Sequence, residues 1–96
     1  MRLETNENRV TIYGEIKSIE DYDSLKRQFD ALITSHKVVT ILIHDSTTIT
    51  SSVLGYLIKL IFLKEIKLHL EVRDARLFRM LEELELLTVL NVTKVG

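Results

Sequence analysis

Hydrophobic and polar residues alternate along this chain with more than one period, and each period predicts an element. Residues 2–5 and 9–13 form short extended segments on either side of Asn6, Glu7 and Asn8, a turn-forming stretch, which predicts a hairpin. From Ser18 the spacing becomes helical. Ile19, Tyr22, Leu25, Phe29, Leu32 and Ile33 recur at steps of three and four, and Ser18 and Asp21 have the spacing of a capping box, so an amphipathic helix is expected to end near His36. Residues 38–43 are apolar at nearly every position and rich in β-branched side chains, the pattern of a strand in the middle of a sheet. Residues 66–73 alternate cleanly, with Ile66, Leu68, Leu70 and Val72 on one face and Lys67, His69, Glu71 and Arg73 on the other. One face of this part of the sheet should therefore meet water.

Between those strands, residues 52–64 are apolar on almost every side, with Lys59 and Lys64 as their only charges before Glu65. A helix this apolar is either buried or keeps a face for a partner. Asp74 is placed to cap a last helix in which Leu77, Phe78, Leu81 and Leu84 form one stripe beside Met80. Glu82, Glu83 and Glu85 fall in its last turn, where the dipole disfavours each exposed carboxylate by about 0.3–1 kcal/mol. Such an acidic end is a solvated face or else an acidic contact for a basic groove. Residues 88–95 read as a short strand or an extended arm.

The order β-β-α-β-α-β-α, followed by this last segment, predicts an α/β fold. Strands joined through helices run parallel, so the sheet is mixed and mostly parallel, with an N-terminal hairpin and about three helices packed mainly on one face. Open sheets of this kind place their sites at the C-terminal ends of the parallel strands. That edge is expected to collect Gly14, Glu15, Ile16, Lys17, His44, Asp45, Ser51, Ser52 and Asp74.

Composition narrows the picture. Ninety-six residues, 46% hydrophobic and 28% charged, suit one domain with a modest core, here residues 1–96. Thirteen basic against fourteen acidic side chains give a net charge of -1, which supplies no global field for nucleic acid or an anionic membrane. The absence of cysteine excludes a disulfide framework, thiolate metal sites and cysteine nucleophiles. The polar start MRLETNENR and the lack of a long uncharged apolar run lead to a cytoplasmic expectation, without membrane insertion.

The candidate chemistry centres on Thr50, Ser51 and Ser52, hydroxyls at the expected start of the apolar helix. A serine there is either a helix cap or a phosphate acceptor, because free backbone N–H groups and the positive dipole end favour a phosphate. No G-x-S-x-G elbow surrounds the serines, and His36, His44 and His69 lack metal-ligand spacing, so neither a triad nor a metal site is expected. Asp45 at a strand end could suit a phosphoacceptor, but only Glu15 is near enough to share a cation with it.

The order strand, Gly14-Glu15-Ile16, helix, apolar strand, Thr50-Ser51-Ser52-Val53-Leu54-Gly55, apolar helix, alternating strand and final helix resembles the STAS domain of anti-sigma factor antagonists over residues 9–92. His44-Asp45-Ser46 and residues 50–55 map onto the family's D-S-S-G-L-G-type motif and the strand end before it; Thr50 stands for its aspartate and Val53 for its glycine. The resemblance implies that Ser51 is the phosphorylated serine. It further implies a partner surface of Thr50, Ser51, Ser52, Val53, Tyr56, Lys59, Leu63 and Glu15. The implied partners are a GHKL-type serine kinase that doubles as an anti-sigma factor and a PPM-type phosphatase. This chain would be substrate and ligand rather than enzyme, without a cofactor of its own. Two other readings stay open: a STAS interaction module with no phosphorylation cycle, in a transporter or signalling complex, and a small α/β enzyme or phosphate-ligand protein using the same edge.

Overall fold

The computed structural model describes residues 1–96. Its elements are β1 (Arg2–Asn6), β2 (Arg9–Tyr13), α1 (Ile19–Leu32), β3 (Val38–Ile43), α2 (Ser51–Phe62), β4 (Lys67–Val72), α3 (Ala75–Glu83) and β5 (Val92–Lys94). The sheet has five strands in the order β1-β2-β3-β4-β5. β1 pairs antiparallel with β2, and every later pair is parallel. The α/β class, the hairpin and the central place of residues 38–43 are thus as the residue pattern predicts, and the last segment resolves into a short parallel strand.

Strand order equals chain order from β2 to β5, so each crossover steps in the same direction. Right-handed crossovers that all step one way place all three helices on one face. Val10 and Ile12, Val39, Ile41 and Ile43, and Leu68, Leu70 and Val72 are buried on that face against Leu25, Phe29, Leu57, Leu60, Leu77 and Leu81. On the other face Thr11, Thr40, Leu42 and His69 are half-buried by their neighbours alone, and Arg9 on β2 reaches across β3 to Glu71 on β4 at 2.6 Å. No helix is long and apolar enough to cross a membrane.

Helix ends differ from expectation where side chains compete with the backbone. α1 stops at Leu32, short of His36, where the Thr34 hydroxyl donates to the Ala31 carbonyl at 2.7 Å. Its start is the expected capping box: the Ser18 hydroxyl accepts the Asp21 N–H, and the Asp21 carboxylate accepts the Lys17 and Ser18 N–H groups. Those bonds, the one from Lys17 foremost, hold the Asp21 carboxyl below its usual range. α3 ends at Glu83, so Glu85 lies beyond the helix rather than in its last turn. With φ +58 it closes a Schellman turn in which Leu86 N–H donates to the Leu81 carbonyl at 2.9 Å.

α1 and α2 are joined through Tyr56. Its ring stacks on Phe29 at 6.5 Å between centroids, and its hydroxyl donates to Asp30 Oδ1 at 2.5 Å. Burial and this bond raise the phenol's pKa, while the phenol and then Lys26 lower that of Asp30. The two shifts act at opposite ends of the pH scale. A raised phenol contributes stability that is present below about pH 10 and is lost as the pH climbs toward its folded-state value. A lowered carboxyl contributes stability that is present above about pH 4 and is lost as the pH falls through its folded-state value. Tyr56→Phe should therefore cost about 1.5 kcal/mol at neutral pH and flatten the alkaline limb of a melting-temperature profile. An unchanged alkaline limb would show that the phenol is not raised in the folded chain.

Candidate functional site

The loops that follow β2 and β3 are bonded to each other at the edge where the parallel strands end. The chain leaves β2 through Gly14, whose φ of +87° is left-handed, so the conformation favours glycine; a Cβ there would also lie 3.3 Å from the Met1 Cα, a tight contact with an exposed terminal residue. Gly14 N–H donates to Asp45 Oδ1 at 2.8 Å, and Ile16 N–H donates to Ser46 Oγ at 3.0 Å. The Ser46 hydroxyl, fully buried, donates in turn to the Thr48 carbonyl at 2.7 Å. Glu15 reaches the other way. Its Oε1 accepts the Thr47 N–H at 3.0 Å, and its two oxygens lie 3.2 and 3.1 Å from the Thr47 hydroxyl. The two loops hold each other in both directions, so the chain is fixed in place before α2 begins.

Thr50 is the cap of α2: its backbone is extended and its hydroxyl accepts the Val53 N–H at 3.2 Å. Ser51 and Ser52 are the first two helical residues. Both are exposed, neither hydroxyl makes a hydrogen bond, and neither backbone N–H has an acceptor. The alternative between cap and acceptor thus divides between residues: Thr50 caps, and the serines are free. No acidic residue lies in this first turn, so a phosphate on Ser51 would meet two unpaired N–H groups and the positive end of the dipole. Ser52 and Thr50 border a cavity of about 320 Å³ shared with Lys17 and with Ser18, Ile19, Tyr22 and Asp23 of the start of α1, and Ser51 lies outside its lining.

His44 contacts Arg73, Asp45 and Tyr13 rather than the serines. Arg73 Nη1 donates to His44 Nε2 at 2.6 Å, which leaves the ring proton on Nδ1, and Nδ1 is buried without a hydrogen-bond partner. The nearest carboxylate oxygen, Asp45 Oδ1, stands 3.6 Å from it and already accepts from Gly14. The Tyr13 ring covers the imidazole at 4.8 Å. Asp74 caps α3, accepting from the Arg76 and Leu77 N–H groups, and the Arg76 guanidinium beside it holds its carboxyl below the usual range. His36 and His69 lie elsewhere, against the Leu32 carbonyl and against Asn91 and Thr93.

No family model, curated protein or solved structure matches this chain.

The structure divides the expected contact residues into separate groups. Glu15, Thr50, Ser51 and Ser52 come together at the strand-end edge, with the Glu15 carboxylate occupied by Thr47. Val53 and Tyr56 face inward, 2% and 6% exposed, and so leave the outer surface they were expected to help form. Apolar helical spacing shows that a helix has a buried face without showing which residues occupy it; here Val53, Tyr56, Leu57 and Leu60 do. Lys59 and Leu63 are exposed but lie about 12 and 18 Å along the axis from Ser51, at the far end of α2. The face that starts at Ser51 continues instead through Gly55, Ile58 and Phe62, one helical turn apart. A Cβ on Gly55 would have no atom within 4 Å, and Phe62 is 66% exposed. Ser46 and Thr47 emerge as the residues that set the site. Their sequence context, a run of hydroxyls, carries no signal of which one is buried.

Proposed function

We propose that this chain is an anti-sigma factor antagonist-like partner-switching protein of the cytoplasm. In this reading it binds a GHKL-type serine kinase that also serves as an anti-sigma factor, and phosphorylation of Ser51 ends the complex. A PPM-type phosphatase restores it. The observation that carries the reading is the free Ser51 hydroxyl at the first position of α2, with the cap already supplied by Thr50. Two unpaired N–H groups beside it suit a phosphate of charge about -1.5 to -2, so modification would change the surface without unfolding the domain. Val53, at the family motif's glycine position, is buried and leaves the outer face of the helix unaltered, which also supports the reading.

Intact mass and peptide mapping of the protein from its native cells test the assignment. One phosphate on Ser51 is expected, none in Ser51→Ala, and partner release should follow the phosphate. Ser51→Ala and Ser51→Asp should each leave stability within about 0.5 kcal/mol of the unmodified chain, because the side chain is exposed and unbonded. Equal partner binding by both variants, with loss only on changing Ile58 or Phe62, would favour the fixed interaction module instead.

A further inference from the structure

The three helices run parallel to one another, so their C-terminal ends share one edge, the edge where β2, β3 and β4 begin. On one half of it, a cavity of about 410 Å³ between the ends of α1 and α2 is lined by Lys26, Lys37, Lys59 and Lys64 against a single carboxylate, Asp30. Asp30 is paired with Lys26 at 2.9 Å, and the other three lysines have no ion pair. On the other half, the end of α3 presents Glu82, Glu83 and Glu85, all exposed and all without an ion pair. Helix dipoles do not account for this division. A lysine in the last turn of α2 suits the dipole, but the last turn of α1 carries no basic residue and α3 ends in acids.

The exposed apolar side chains gather on the same edge. Of the seven large hydrophobic residues that are exposed, Val38, Phe62, Leu63, Leu84 and Val89 lie there, and only Met1 and Ile19 lie at the opposite end. Leu63 is 70% and Leu84 52% exposed, one beside the lysines and the other among the glutamates.

We propose that this edge pairs two copies of the chain, the lysine cavity of each receiving the Glu82-Glu83-Leu84-Glu85 segment of the other. A surface net positive on one half, where Glu65 is an exposed acid following Lys64, and negative on the other is complementary to itself about a two-fold axis lying in the contact plane, because that rotation exchanges the halves. Charge sets the register, and burial of Phe62, Leu63 and Leu84 drives association. The pairing edge is about 16 Å along α2 from Ser51 and shares only Phe62 with the outer face of that helix, so a salt-dependent dimer and phosphorylation of Ser51 are read by separate measurements.

Sedimentation equilibrium of the full chain at low and high salt tests the pairing. A dimer that weakens with salt is expected. Lys59→Glu with Lys64→Glu, and separately Glu82→Lys with Glu83→Lys, should each weaken it roughly tenfold or more, and an equimolar mixture of the two charge-reversed chains should recover a mixed dimer. All four positions are exposed, and matching circular dichroism melts would establish that each variant is folded. A chain that stays monomeric to about 1 mM, charge-reversed chains that dimerise like the original, or no recovery on mixing would each overturn the proposal. A monomer whose lysine cavity binds a polyglutamate peptide would likewise overturn it, by assigning the cavity to a different acidic partner.

Discussion

Phe29→Ala is expected to lower the unfolding free energy by about 3–5 kcal/mol. Phe29 is 1% exposed, and its ring stacks on Tyr56. Its removal takes away transfer energy and leaves a cavity that Leu25, Leu57 and Leu60 can only partly fill. For a domain of this size, total stability is on the order of 5–14 kcal/mol, so the loss is a large share of it. Urea unfolding should show a reduced midpoint at unchanged slope, with a melting temperature lower by about 12 °C or more. Because Phe29 ties α1 to α2, the Tyr56 bond to Asp30 should loosen as well, and a carboxyl titration of Asp30 would register that. A loss below about 1.5 kcal/mol would mean that the helices repack around the gap.

Ser46→Ala should cost about 2–4 kcal/mol, although it removes a single oxygen. The hydroxyl accepts the Ile16 N–H and donates to the Thr48 carbonyl, and Ser46 and Ile16 are both 0% exposed. Deleting it strands the buried Ile16 N–H, which water cannot reach, and removes the donor to the half-buried Thr48 carbonyl. The effect should also be local: the Ile16 amide should lose hydrogen-exchange protection, while amides in the middle of β4 follow only the global change. A cost below about 1 kcal/mol, with Ile16 still protected, would refute the latch. Set beside the near-neutral Ser51→Ala, the two serine variants separate the residue that builds the edge from the one left free on it.

Ser18 with Asp21 and Asp74 with the stripe after it are local signals, because a cap acts within four residues, and the helices begin as those signals predict. The start of α2 offered three adjacent hydroxyls. Choosing Thr50 as the cap depends on the direction from which the chain enters the helix, and that direction is set by Glu15 and Ser46 bonding across loops some thirty residues apart.

Alternation and helical spacing by themselves determined the α/β class, the hairpin, the parallel strands and the central place of β3, since those follow from local backbone preference and the hand of the crossovers. Tertiary structure alone decided that Val53 and Tyr56 are core rather than surface, and that the buried serine is Ser46 while Ser51 is free. It also decided that four lysines from separate segments line one cavity beside the acidic end of α3. Periodicity says that a helix has an inner face. Only packing against α1 and the sheet sets which way that face turns, and distant charges meet only when the helix ends share an edge.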